Sequence, residues 1–195
     1  MQFDGLAENN TVLITGTVAE GCVFSHEVYG ESFYMFRISS DRLSDKADIL
    51  PVTISERLID KELLQVGTKV KVMGQLRSYN NYNSKKNRLI LTIFAREISL
   101  LEEADEKMEN QIFLNGFICK VPIYRKTPFG REISDILVAV NRAYNKSDYI
   151  PCIAWGRNAR YMANLEVGAN IRVWGRGQSR IYQKRVGEEV EERVA

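Results

Sequence analysis

The strongest constraint in this sequence is that it repeats itself. NNTVLITGTVAEG from Asn9 aligns with ENQIFLNGFICKV from Glu109, so Asn10 meets Asn110 and Gly16 meets Gly116. At the same offset Tyr29-Gly30 meets Phe129-Gly130, Arg42 meets Arg142, Asp48 meets Asp148 and Pro51 meets Pro151. One residue is then inserted, and LQVGTKVKVMGQLRS from Leu64 matches LEVGANIRVWGRGQS from Leu165, pairing Gly67 with Gly168, Gly74 with Gly175 and Ser78 with Ser179. Self-similarity over such a span means two copies of one domain. We place them at residues 1–103 and 110–195, with a charged linker over 104–109.

Within each copy the apolar period is mostly two, the signature of strands. Val12 and Ile14, like Ile112 and Leu114, alternate with more polar neighbours and lead into a glycine, which predicts a strand that bends or bulges there. A glycine-bearing hairpin turn follows, then a second strand (FYMFRIS or SDILVAV) and a third beginning near Pro51 or Pro151. ERLIDKELLQVG and RNARYMANLEVG read as short helical segments closed by a glycine in the left-handed conformation. KVKVMGQL or NIRVWGRG makes a fourth strand, and RLILTIFAREISL a fifth in the first copy. Three strands, a short helix and two more strands is the order of an OB-fold. The expected class is therefore all-β with short helices: two tandem OB-folds, each a five-stranded Greek-key barrel. The second copy's fifth strand falls near Val190, so that barrel reads as truncated in its last strand.

Composition narrows the chemistry. A hydrophobic content of 45% with 27% charged residues suits a soluble globular chain. No apolar run approaches the roughly 18 residues of a membrane span, and MQFDGLAENN lacks a secretory pattern, which predicts a cytoplasmic location. Cys22, Cys119 and Cys152 have no metal-ligand spacing and read as small buried thiols. His26 is the sole histidine, so zinc sites and histidine-based nucleophilic triads lack parts. We expect no metal, no cofactor and no enzymatic activity.

Tyr149, Ile153 and Trp155 share strand parity, whereas Ile150, Cys152 and Ala154 would face the other way, into the barrel. Rings outside a barrel, among arginines, offer flat faces to bases and cations to phosphates. Residues 110–195 carry 14 Lys and Arg against 8 Asp and Glu, and residues 1–103 carry 12 against 14. The basic excess belongs to the second copy.

The stretch NQIFLNGFICKVPIYRKTPFGREISDILVAVNRAYNKSDYIPCIAWGRNARYMANLEVGANIRVWGRGQSRIYQ, Asn110 to Tyr182, resembles the DNA-binding domain of the bacterial single-stranded DNA-binding proteins. The resemblance implies four base-stacking positions, which fall on Tyr144, Tyr149, Trp155 and Tyr182. Of the available cations, Arg125, Arg142, Arg157 and Arg180 are our first choices for phosphate contacts. Tyr161 and Met162 are assigned to core packing, and Trp174 to packing or a subunit contact.

Projecting the stacking positions onto the first copy gives Ser44, Ile49, Ser55 and Asn81, none of them aromatic, so that copy reads as a structural or assembly barrel. Its loop SYNNYNSKKNR, with Tyr79, Tyr82, Lys85, Lys86 and Arg88, could contact DNA or simply be a solvated hairpin. Non-specific binding of single-stranded DNA, protecting it during replication, recombination or repair, is the expected function. An assembly factor related to the primosomal OB-fold proteins, acting mainly through protein partners, is the alternative. By resemblance to relatives that assemble four domains, a homodimer supplying four OB-folds is expected, in the bacterial cytoplasm and associated with the nucleoid. Replication and repair proteins would be further partners, although GEEVEERVA lacks the family's acidic terminal motif.

Overall fold

The computed structural model describes residues 8–81, 88–102, 107–186 and 189–194, with side chains as far as residue 180. Among the described residues, the first repeat contributes β1 (Asn10–Val28), β2 (Glu31–Asp41), β3 (Ala47–Ser55), β4 (Lys69–Asn81) and β5 (Arg88–Leu100). Strands β2, β3, β5, β4 and β1 follow one another in the sheet, and β1 pairs again with β2, so the circle closes. Its closing seam is parallel, with Val52 opposite Ile93 and Thr53 opposite Phe94 in β3 and β5. Val12 and Ile14, expected to alternate with polar neighbours, are buried, and Phe36, Ile38, Val52, Ile54, Val70 and Val72 join them in the core. Each such aliphatic side chain contributes about 1.5–3 kcal/mol by leaving water.

The second repeat contributes β6 (Asn110–Ile118), β7 (Ile123–Lys126), β8 (Glu132–Arg142), β9 (Lys146–Trp155), the helix α1 (Arg157–Ala163) and β10 (Asn170–Gly175). Where β1 runs unbroken, its counterpart is interrupted between β6 and β7, because Pro122 replaces Cys22 and has no N–H to give a ladder. Strand β8 pairs with β9 over ten registered positions from Ile133–Trp155 to Arg142–Lys146. Leu114, Ile118, Ile133, Ile136, Val138, Val140, Ile150 and Ile171 form its core. The last two strands, β11 (Ile181–Val186) and β12 (Glu189–Val194), pair antiparallel with each other, Ile181 opposite Val194 through Val186 opposite Glu189. The strand expected near Val190 is thus β12.

Two sequence expectations change. Gly16 and Gly116 do not mark bulges: a β-carbon at either would collide with the Ser39 or Ala139 carbonyl oxygen, so glycine is required by close backbone approach. The irregularities of β1 lie further on, between Val18 and Glu20, Glu20 and Val23, and Phe24 and His26. The first helical segment shrinks to a 3-10 turn, Lys61–Leu63, where Asp60 accepts a hydrogen bond from the Glu62 amide at 3.0 Å. Asp60, with the β-branched Ile59 before it, favours such a local turn over helix continuation. The second segment keeps its helix. Ala159 is buried there, and its carbonyl accepts from the buried Ser134 hydroxyl at 2.7 Å. Both segments end as expected, at Gly67 (φ 94°) and Gly168 (φ 95°).

The chain forms two compact units, and each draws on both repeats. Among the described residues, one comprises 8–11, 76–81, 88–91 and 113–174, the other 12–75, 92–102, 107–112, 175–186 and 189–194. Within the second unit, Asp48 is fully buried and accepts from Arg42 Nη2 at 2.6 Å, Arg42 Nε at 3.0 Å, Arg176 Nη2 at 3.1 Å and the Ser179 amide at 2.9 Å. The Ser179 hydroxyl in turn accepts from the Ile49 amide at 2.8 Å. Within the first unit the aligned residues repeat this clasp. The Ser78 amide donates to Asp148 at 2.9 Å, the Tyr149 amide donates to Ser78 Oγ at 2.7 Å, and Arg142 Nε lies 3.3 Å from Asp148. Asn10 and Asn110 each secure the strand nearby, bridging both backbone groups of Leu76 in one unit and Gly177 in the other.

Burial opposes the charge on Asp48, but the hydrogen bonds from Arg42 and Ser179 and the nearby guanidinium charges outweigh it, holding its carboxyl below the ordinary range. A depressed carboxyl stabilises the fold above its unfolded value of about 4, and the stabilisation disappears as pH falls through the folded value. Asp48→Asn should therefore cost about 3 kcal/mol in urea unfolding at pH 7, since two guanidinium groups lose their counter-charge. The difference from wild type should shrink as the pH is lowered below about 4.

Candidate nucleic-acid interface

Strand β9 carries the site because its two faces differ. Tyr149, Ile153 and Trp155 are 44%, 39% and 48% exposed, whereas Ile150 is buried and Cys152 and Ala154 are largely covered. Period two has sorted the strand into a core face and a ring-bearing face. Burial pushes the Cys152 thiol up to about 12, as an apolar barrel wall requires.

Tyr144 sits at the tip of the β8–β9 turn and is almost wholly exposed. It and Asn145 adopt positive φ, 62° and 57°. For a tyrosine that conformation is uncommon and costs on the order of 1 kcal/mol, met here by the registered strands on either side. Beside Trp155 lies an open cleft of about 560 Å³ lined by Gly130, Arg131, Glu132, Gly156 and Arg160. Arg160 is held in it by Glu132, 2.6 Å away.

The expected cations differ in availability. Arg157, at the start of α1, and Arg180 are exposed, and no ion pair ties either to a described residue. Arg125 is half exposed and pairs with Asp135 at 3.2 Å. Arg142 is turned onto the buried Asp148 and is mostly covered. Lys126, Arg131 and Lys146 are exposed in the same unit, which also holds Tyr144, Tyr149, Trp155, Arg125, Arg142 and Arg157. Arg180 and Tyr182 belong to the other unit. The backbone of Tyr182 pairs with Arg193 in the β11–β12 hairpin, and its side chain lies outside the described residues. Tyr82, Lys85 and Lys86 of the first repeat's loop also fall outside them.

Tyr161, expected in the core, is 63% exposed. Helix α1 spans only seven residues, and Ala159 is the one that it buries. Trp174 packs its ring against Phe113, centroids 4.9 Å apart, with most of its surface still open. The serine clasp escaped the sequence reading, although its signal was present: Arg42, Asp48 and Ser78 each recur at the aligned position of the other repeat. Among the described residues no group of three or more His, Cys, Asp or Glu is arranged to hold a metal, and no helix is long and apolar enough to cross a membrane.

A small five-stranded barrel closed in this strand order is an OB-fold, and the second repeat turns rings outward along β9. Residues 109–194 match the model of the single-strand binding protein family. Single-stranded DNA-binding protein A of Bacillus subtilis is 36% identical over 90 residues, 43% of this chain and 52% of that protein. Single-stranded DNA-binding protein 1 of Staphylococcus aureus is also 36% identical over 90 residues, 54% of its length. Through its second repeat the chain resembles the single-strand binding protein family. It spans about half the length of these relatives.

The crystal structure of the wild-type single-stranded DNA-binding protein from Thermus aquaticus covers 94% of this chain and 92% of its own, with a TM-score of 0.74 and 21% identity, so the two share a fold. The dimeric N-terminal domain of the PriB protein from Thermoanaerobacter tencongensis is 53% identical over 49% of the chain, but its TM-score of 0.44 is too low to establish a shared arrangement.

With its thiol at about 12, Cys152 has roughly one thiolate in ten thousand at pH 8. Its carbamidomethylation by iodoacetamide in the folded protein, followed by peptide mass spectrometry, should be far slower than in urea. It should accelerate about tenfold for each unit of pH up to 10.

Proposed function

We propose that this protein binds single-stranded DNA with little sequence preference and covers it during replication, recombination or repair. The observation that carries this reading is the outward-facing pair Tyr149 and Trp155 on one face of β9, with Tyr144 exposed at the adjoining turn, in the repeat that matches the single-strand binding protein family. Every base has a π-face, so stacking on such rings contributes about 1–3 kcal/mol per base regardless of sequence. Relatives named as single-stranded DNA-binding proteins support DNA as the ligand.

Arg157 is the leading phosphate contact, since its charge is unspent, and exposed Arg131, Lys126 and Lys146 extend the same role. Arg125 joins them by exchanging Asp135 for phosphate. Arg142 contributes less, because leaving Asp148 would strand a buried carboxylate. Arg180 and Tyr182 are assigned to the strand's path on the strength of the family resemblance. Binding and covering a strand requires no bond to be broken, so the protein acts as a non-enzymatic binder. A homodimer supplying four OB-folds, in the bacterial cytoplasm beside the nucleoid, completes the proposal, with replication and repair proteins as further partners.

Titration with oligo-dT, followed by quenching of tryptophan fluorescence, tests it. Wild-type affinity should fall with a log–log salt slope of about −0.7 for each phosphate neutralised. Trp155→Ala, monitored by anisotropy of labelled oligo-dT, should weaken binding by about 1–3 kcal/mol and leave that slope nearly unchanged. Arg157→Ala should lower the slope by about 0.7. Salt-independent binding, or full affinity in a folded Trp155→Ala protein, would overturn the assignment.

A further inference from the structure

The compact unit holding Tyr149 and Trp155 also contains residues 76–81 and 88–91, the end of β4 and the start of β5 from the first repeat. Two hydrogen bonds fix how that arm meets β9: Ser78 N–H to Asp148 at 2.9 Å, and Tyr149 N–H to Ser78 Oγ at 2.7 Å. Asp148 and Ser78 are buried, so water does not compete for these bonds. Along β4 the alternation that turns Ser78 inward turns Tyr79 outward, where the residue is 45% exposed. Bond lengths and the Ser78 contact keep the α-carbons of Tyr79 and Tyr149 within about 10 Å of each other, close enough for two tyrosine rings to serve neighbouring nucleotides.

Resting on the proposed function, we propose that the first repeat completes the second repeat's binding face: Tyr79 supplies a further stacking ring beside Tyr149, and Ser78 is the positioning residue that holds it there. The ligand is an unpaired nucleobase, the same chemical class that Tyr149 and Trp155 receive. The first repeat, whose own aligned positions hold Ser44, Ile49, Ser55 and Asn81, thereby takes part in binding through its arm rather than through its barrel wall.

The test uses the full chain and labelled oligo-dT. Tyr79→Ala should weaken binding about 5- to 150-fold, with unfolding unchanged because the side chain is half exposed, and Tyr79→Phe should restore most of the affinity because the ring is what stacks. Photocrosslinking of oligonucleotides carrying 5-iododeoxyuridine should yield an adduct on the peptide containing Tyr79. Full affinity in Tyr79→Ala beside a weakened Trp155→Ala control would overturn this inference and leave the DNA-binding reading standing. Full affinity in both would remove that reading itself. Weakening by Tyr79→Ala that Tyr79→Phe fails to rescue, with no crosslink, would also overturn the stacking role.

Discussion

A buried aspartate clasped by a serine from the other repeat organises each compact unit. A carboxylate without water needs counter-charge and donors, and Asp48 obtains both from Arg42, Arg176 and the Ser179 amide. Asp148 obtains them from Arg142 and the Ser78 amide. Because the serines lie beyond the fourth-strand glycines Gly74 and Gly175, the clasp ties the departing arm of one repeat to the third strand of the other. Asp148 lies immediately before Tyr149, and Ser78 immediately before Tyr79.

The same clasp redistributes charge. The second repeat is rich in arginine, yet Arg142 and Arg176 are committed to carboxylates inside the protein, and Arg160 to Glu132. Cations free to meet phosphate are fewer than composition suggests, and three of them lie near the exposed rings: Arg157 just beyond Trp155, Lys146 at the start of β9, and Arg131 lining the Trp155 cleft. The first repeat keeps the clasp residues but has lost the rings. At its aligned third strand Ile49 stands where Tyr149 does, and Thr53 lies buried against the parallel β5 seam.

Much of this was legible in the sequence because strands announce themselves at period two and glycines at places where nothing else fits. The inward set of β9, the positive φ at Gly67 and Gly168, and the five-stranded order all follow from that grammar. What was not legible depends on which segment meets which. Nothing local in RSYNN says that Ser78 caps β9, and nothing local at Arg142 says that its guanidinium turns inward. The 3-10 turn at Lys61–Leu63 escaped for a different reason: ERLIDKELL has helical spacing, but Asp60 folds its carboxylate onto the Glu62 amide and starts a tighter turn. Tyr161 escaped because a seven-residue helix has room to bury only Ala159.

The sequence separation within the clasps also bears on how the chain is made. Asp148 meets a serine 70 residues upstream, whereas Asp48 must wait for one 131 residues downstream. At roughly 5–20 residues per second of translation, a nascent chain holds Asp48 without its distal donors for on the order of ten seconds. During that interval Arg42, six residues from Asp48, is the counter-ion already at hand. Ribosomal timing thus gives this nearby arginine a guardian's duty before the last strand pair exists.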